Sequence, residues 1–90
     1  MIAERRLVFE VIETGERREL TIRIGTPYWS AEQGFASCPR EYEGLLESVA
    51  DAVGIDTVQA LQLATDIDSM LKRLTKYRFY WPDGEPYFEQ

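Results

Sequence analysis

The chain has 90 residues, with 10 Lys and Arg against 16 Asp and Glu, a net charge of −6, one Cys and no His. That length holds one modest core, so a single domain over residues 1–90 is expected. The absence of His removes the side chain that titrates near neutrality, and a lone Cys excludes an internal disulfide and the usual zinc ligand sets.

Apolar residues at 44% and charged residues at 29% describe a globular chain rather than a disordered one. No uncharged stretch approaches the ~20 residues of a membrane span. The first apolar run, residues 7–12, is interrupted by Glu10, which is not the pattern of a signal peptide. A cytoplasmic location is the expectation. Cys38 is expected to be a half-buried, inert thiol, because only Arg40 lies near it in sequence to lower its pKa.

Residues 6–25 predict a β-hairpin. Leu7, Phe9 and Val11 alternate with other residues, as do Leu20, Ile22 and Ile24. A two-residue turn at Gly15-Glu16 pairs Val11 with Leu20, Phe9 with Ile22 and Leu7 with Ile24, and sets Glu13 opposite Arg18. A slip by one residue would turn an apolar row to water. Gly25-Thr26-Pro27 ends the second strand. Residues 28–34 predict a loop anchored by Tyr28 and Trp29. Residues 35–43 read as either a third strand or a helix start; a strand to Glu43 and a short helix over residues 45–53 is the reading taken.

Gly54 then serves as the C′ residue of that short helix. Asp56 is a fitting N-cap, with Gln59 completing a capping box and Ile55 placed to staple onto Ala60. The main helix is expected over residues 57–76, roughly 30 Å long. Its inner face carries Ala60, Leu63, Ala64, Ile67, Met70, Leu71 and Leu74. Residues 78–81 predict a strand that buries Phe79 and Trp81, Pro82-Asp83-Gly84 a turn, and residues 85–88 a short return segment. The expected fold is α+β, in the order β-β-β-α-α-β. An N-terminal hairpin and further strands form an antiparallel sheet, with one short and one long helix packed on one face.

Few residues combine into chemistry. Ser30, Ser37, Ser48 and Ser69 have no His partner, and no phosphate-binding glycine loop or nucleophile elbow occurs. Asp66 and Asp68 diverge on a helix, and no calcium-loop spacing is present. No catalytic residue, cofactor or metal ligand is therefore assigned. Residues 41–71 hold seven acids and no Lys or Arg, which disfavours nucleic acid as a partner. Six of the eleven aromatics fall between residues 77 and 88. Core filling explains most of them, and Tyr80, Tyr87 and Phe88 are the ones expected outside.

The segment Gly54-Ile55-Asp56-Thr57-Val58-Gln59-Ala60-Leu61-Gln62-Leu63-Ala64 resembles the helix start of a family of small uncharacterised bacterial domains, a domain-of-unknown-function group. Ala3-Glu4-Arg5, Ile24-Gly25-Thr26-Pro27 and Cys38-Pro39 ahead of Gly44-Leu45 support the resemblance, which covers most of the chain to about Leu74 and fits the aromatic end less well. It implies an extended segment near Cys38 and brings no activity, cofactor or catalytic residue.

The functional expectation is a non-enzymatic bacterial protein-interaction domain, inhibitor- or immunity-like or an oligomeric adaptor, with a protein partner or self-association. The alternative is a small-molecule-binding regulatory domain. The partner surface is expected at Asp56, Gln59, Gln62 and Asp66, together with Tyr80, Tyr87 and Phe88.

Overall fold

The N-terminal hairpin forms, but in a register four residues away from the expected one. The computed structural model, which describes residues 1–88, pairs β1 (Ala3–Val11) with β2 (Arg17–Ile24) so that Leu7 faces Leu20, Arg5 faces Ile22 and Ala3 faces Ile24. Phe9 therefore lies opposite Arg18, not Ile22, and Glu13 sits in the turn. An even slip leaves every side chain on its own face, so alternation alone does not choose between these registers. The turn chooses. Gly15 is the last residue of a four-residue loop, with φ +74° and its N–H donating to Val11 O at 2.7 Å, not the first residue of a two-residue turn.

The remaining elements are β3 (Tyr28–Ser30), β4 (Phe35–Cys38), β5 (Arg40–Glu43), β6 (Ala52–Gly54), α1 (Thr57–Thr65), α2 (Ile67–Arg73) and β7 (Tyr77–Tyr80). Among the described residues the strands make two antiparallel sheets, ordered β5-β2-β1-β7 and β3-β4-β6. The fold is α+β as expected, with the strands divided between two sheets where one was anticipated. Tyr28 and Trp29 stand on a strand, not in a loop, and about half of each is exposed, so neither is an anchor. The β3–β4 turn repeats the first one: Gly34 has φ +76° and donates to Ser30 O at 2.8 Å.

The helix expected over residues 45–53 is absent. Tyr42 reaches the core from strand β5, Leu45 and Val49 pack on the core from the following loop, and Val53 lies on β6. Their helical spacing is a coincidence: Tyr42, Leu45 and Val49 pack on the core from a strand and a loop, and Val53 is half-exposed on β6. Gly54 is accordingly a strand residue, where a Cβ would stand 2.6 Å from the Ala60 backbone nitrogen. Its role is close approach, not helix termination.

The long helix divides at Asp66. Thr65 turns its hydroxyl back to Leu61 O at 2.9 Å, and Asp66 leaves helical geometry with ψ 66°. Thr and Asp both compete locally for backbone partners, which favours a cap here over a helix interior. Asp66 then caps α2, accepting from Ser69 N at 3.3 Å and from Ser69 Oγ at 2.6 Å.

One core gathers Leu7, Phe9, Leu20, Ile22 and Ile24 from the hairpin, Tyr77 and Phe79 from β7, and Ala60, Ala64, Ile67 and Leu71 from the helices. The Phe9 and Tyr77 rings meet edge-on with centroids 5.1 Å apart. Trp81, expected inside, lies beyond the end of β7 and is exposed. Cys38 is fully buried rather than half-buried.

Two stability series follow from this packing. Gly15→Ala and Gly34→Ala each meet open space and should cost only the left-handed backbone penalty, about 1 kcal/mol. Gly54→Ala should cost more, roughly 2–3 kcal/mol, because the methyl presses on backbone. Equal losses in urea unfolding across the three variants would contradict this. The Tyr42 hydroxyl is buried without a hydrogen-bond partner among the described residues. Tyr42→Phe should therefore raise stability by about 1 kcal/mol, and a lower unfolding midpoint would contradict the placement.

Candidate functional site

Pairing registers decide which side chains of the smaller sheet share a face. Ala36 lies opposite Gly54 and Cys38 opposite Ala52, so these four point one way. α1 packs on β4 and β6 and brings its buried Ala60 and Ala64 to this side. The buried residues that face each other here, Ala36, Cys38, Ala52, Gly54, Ala60 and Ala64, are small, which lets the helix sit close to the strands. The Cys38 thiol is enclosed here, its Sγ 3.4 Å from Gly25 O. Burial pushes its pKa up, Asp51 adds to the rise, and Arg40 opposes it.

The opposite face is partly exposed, although Ser37 at its centre is buried. Tyr28, Ser37 and Val53 stand abreast on it, with Ser30 and Phe35 in the next row. Tyr28 is 49% exposed and Val53 51% exposed, while Ile55 just beyond β6 reaches 76%. Ile55 thus makes no staple onto Ala60. Val58 on α1 is also exposed. Tyr28, Phe35, Val53 and Ile55 form a partly exposed apolar surface with Ser37 shielded at its centre, and Val58 lies apart from it on α1.

Charge separates this part from the rest. Residues 26–38 and 51–65 contain Glu32, Asp51 and Asp56 and no Lys or Arg. On the larger sheet, by contrast, carboxylates are matched in place. Arg23 bridges Glu4 at 3.3 Å and Glu41 at 2.6 Å, and also pairs with Glu43. Arg17 bridges Glu10 at 3.2 Å and stacks its guanidinium 4.6 Å above the Tyr80 ring. Two acids of the acidic middle stretch, Glu41 and Glu43, therefore share one guanidinium with Glu4, which offsets part of their charge.

The residues singled out from the sequence divide into two groups. Asp56 accepts from Gln59 N at 2.8 Å, and Gln59 Oε1 accepts from Ile55 N at 2.6 Å, so both side chains are occupied in starting α1. Gln62 is exposed on the same helix, and Asp66 is occupied at the cap of α2. Tyr80, Tyr87 and Phe88 belong to the other end of the chain, and none of them is fully outside. Each is half-buried. Arg5 Nη1 donates to the Tyr87 hydroxyl at 2.6 Å, which is also 2.6 Å from Asp68 Oδ1. Burial, then the Asp68 bond, raises the Tyr87 pKa. This is a clasp holding the return segment to β1 and α2. The two expected groups do not converge on one surface.

Sequence reasoning missed β3 and with it the open face. The signal was present, since Glu32-Gln33-Gly34 repeats the Glu-x-Gly of Glu13-Thr14-Gly15.

An open groove of about 250 Å³ lies between α2, β7 and the return segment, lined by Leu71, Lys72, Leu74, Phe79, Pro86 and Phe88 among others. It is smaller than the ~300–1,000 Å³ typical of ligand pockets. No group of three or more His, Cys, Asp or Glu side chains converges as a metal site among the described residues. No helix of the described chain is long and apolar enough to cross a membrane.

Fold and surface together define a small α+β protein with a helix seated closely on one sheet and an apolar sheet face left open. The chain belongs to the family described as Domain of unknown function (DUF6968), whose model matches residues 3–84. That span runs beyond Leu74 and takes in Trp81-Pro82-Asp83-Gly84. No curated protein and no solved structure matches the chain.

The cap of α2 makes a pH-dependent contribution. Hydrogen bonds from the Ser69 hydroxyl and then its N–H hold the Asp66 carboxyl below its ordinary 3.8, against slight desolvation. Stability from a depressed carboxylate is present above the ordinary value and lost as pH falls through the lowered one. The stability gap between the natural protein and Asp66→Ala should thus be constant from pH 7 to 5 and close towards pH 2. A gap independent of pH in urea melts would contradict it.

Proposed function

We propose that this chain is a non-catalytic binding protein of the bacterial cytosol that docks another protein on its smaller sheet, as an inhibitor- or immunity-type partner. The observation that carries the reading is the partly exposed face of Tyr28, Phe35 and Val53, extended by Ile55 beyond β6. Contiguous exposed apolar surface of this kind marks interaction sites. The reading without catalysis is supported by where the reactive groups lie. Cys38 is enclosed beneath α1, and Asp56, Gln59 and Asp66 are bound to helix starts. A buried free thiol also suits a reducing compartment.

Electrostatics favours a different protein over a second copy. Joining two copies through this sheet would bring together two surfaces that each carry Glu32, Asp51 and Asp56 against one nearby base, Arg40, which bonds Ala50 O at 2.7 Å. Opposed like charges disfavour such a contact, whereas a basic partner is drawn to it and its association weakens with salt.

Affinity capture from the source cell, run in parallel with the natural chain and with Tyr28→Ser/Val53→Ser, tests the reading. Both substitutions lie on exposed side chains and should leave the unfolding midpoint nearly unchanged. The expected result is a basic protein retained by the natural chain and recovered at least tenfold less with the variant. Equal recovery of the same proteins by both, or recovery of this chain alone, would overturn it.

A further inference from the structure

We propose that the groove between α2, β7 and the return segment is a second site, which takes a small amphiphilic carboxylate, one carboxylate on a short hydrocarbon body. The inference is independent of the protein-docking reading, since it uses neither the smaller sheet nor its acids.

The groove lies along the outer edge of β7, where the larger sheet ends, with α2 on one side and the return segment on the other. Trp81 N donates to Glu85 O at 2.8 Å, Tyr87 N donates to Phe79 O at 2.9 Å, and Pro86 faces Tyr80. The return segment thus already occupies the far end of this edge, and no extended peptide can follow it. Leu71 and Phe79 are buried in the floor, whereas Leu74 and Phe88 are half-buried and leave apolar surface facing the groove. A volume of about 250 Å³ falls below the ~300–1,000 Å³ of sites for drug-sized ligands, so the occupant is smaller than these.

Charge selects an anion. Lys72 and Arg78 line the groove, and no Asp or Glu does. Lys72 Nζ stands 5.5 Å from the centre of the Phe88 ring, which puts the ammonium over the apolar wall. Neither cation is in an ion pair among the described residues. The nearest acids are engaged or directed elsewhere. Glu10, opposite Arg78 in the ladder, bridges Arg17 at 3.2 Å, and Asp68 accepts from the Tyr87 hydroxyl at 2.6 Å. Glu47 acts on the Tyr77 hydroxyl, and Glu85, next to Pro86, is exposed. Residues 72–78 hold four cations, Lys72, Arg73, Lys76 and Arg78, and no acid, in a chain of net charge −6.

The backbone adds a donor. Along an antiparallel strand, successive residues turn their N–H and C=O groups alternately towards and away from the neighbouring strand. Phe79 O accepts from Tyr87 on the side away from β1, so the Phe79 N–H points outward too. A regular ladder would give it Tyr87 O as acceptor. The chain leaves β7 there instead, and among the described residues the Phe79 N–H has no acceptor. An ionised carboxylate accepts strongly from such a donor and from the two cations, while its hydrocarbon body covers Leu74 and Phe88. An alcohol or amine of the same length would lack the charge that Lys72 and Arg78 select.

The probe is octanoate, titrated into the full chain and followed by methyl and amide NMR, with octanol, octylamine and acetate as controls. Octanoate should give saturable shifts at the Leu71 and Leu74 methyls and move the Phe79 amide proton downfield. Each control should bind at least fivefold more weakly. Lys72→Gln/Arg78→Gln, on two exposed side chains, should weaken octanoate at least fivefold and leave both octanol binding and the unfolding midpoint unchanged. Equal binding of octanol or octylamine, shifts centred on another surface, or no saturation would overturn the site. So would octanoate binding that the double substitution leaves intact. Tighter binding of a short peptide ending in a free Leu carboxylate would overturn the assignment to a small free acid. The docking reading of the smaller sheet stands or falls separately, because neither substitution touches that sheet.

Discussion

Two strands that change sheets side by side, at Gly25 and Pro39, decide how the rest of this chain packs. β2 runs on into β3 and β4 runs on into β5, so the four form one long bent hairpin closed at residues 31–34. Ile24 faces Arg40 on one side of the bend and Tyr28 faces Ser37 on the other. The outward strand thus has one residue more than the returning one. An extra residue of this kind bends a ladder and raises its twist, and such corners carry a strand from one sheet to the next. The bend is held by Gly25 N donating to Pro39 O at 2.8 Å, and a Cβ at Gly25 would come within 3.0 Å of the proline ring.

The candidate site follows from that corner. By turning β3 and β4 out of the larger sheet, it creates a second sheet with faces of its own. One face is lined by Ala36, Cys38, Ala52 and Gly54 and receives α1. The other would have needed a second helix to be covered, and the residues that might have supplied one run instead as the loop from Gly44 to β6. The apolar face and the bare β3 edge are therefore two results of one bend. The ion pairs of the larger sheet are a separate matter: Arg17 and Arg23 offset part of the charge of Glu4, Glu10, Glu41 and Glu43, while residues 26–38 and 51–65 contribute acids and no bases to the smaller sheet and α1.

Much of this was legible in the residues, and the failures have physical causes. Alternation assigned the faces of β1 and β2 correctly, because period two is a strong signal. It was blind to the even register slip, which only the turn geometry resolves. Asp56 and Gln59 announced the start of α1 through capping chemistry that is local in sequence. The break at Asp66 is local too, but the apolar face of α1 continues in phase into α2, and that continuity concealed it. Tyr42, Leu45, Val49 and Val53 mimicked a helix because three unrelated elements happened to place apolar residues at helical spacing. The division into two sheets was the least accessible feature, since it depends on contacts between Gly25 and Pro39, far apart in sequence. Of the residues proposed for a partner surface, most proved to be caps or a clasp, because short polar side chains at helix starts serve the backbone first.

Amide hydrogen exchange in the free protein tests the corner and the open edge together. The account predicts a protected Gly25 amide, bonded to Pro39, and protection that alternates along Tyr28, Trp29 and Ser30, since successive amides of an edge strand face inward and outward. Rapid exchange at Gly25 would contradict the bend. Uniform protection of all three β3 amides would contradict the free edge, and uniform exposure would contradict the strand itself.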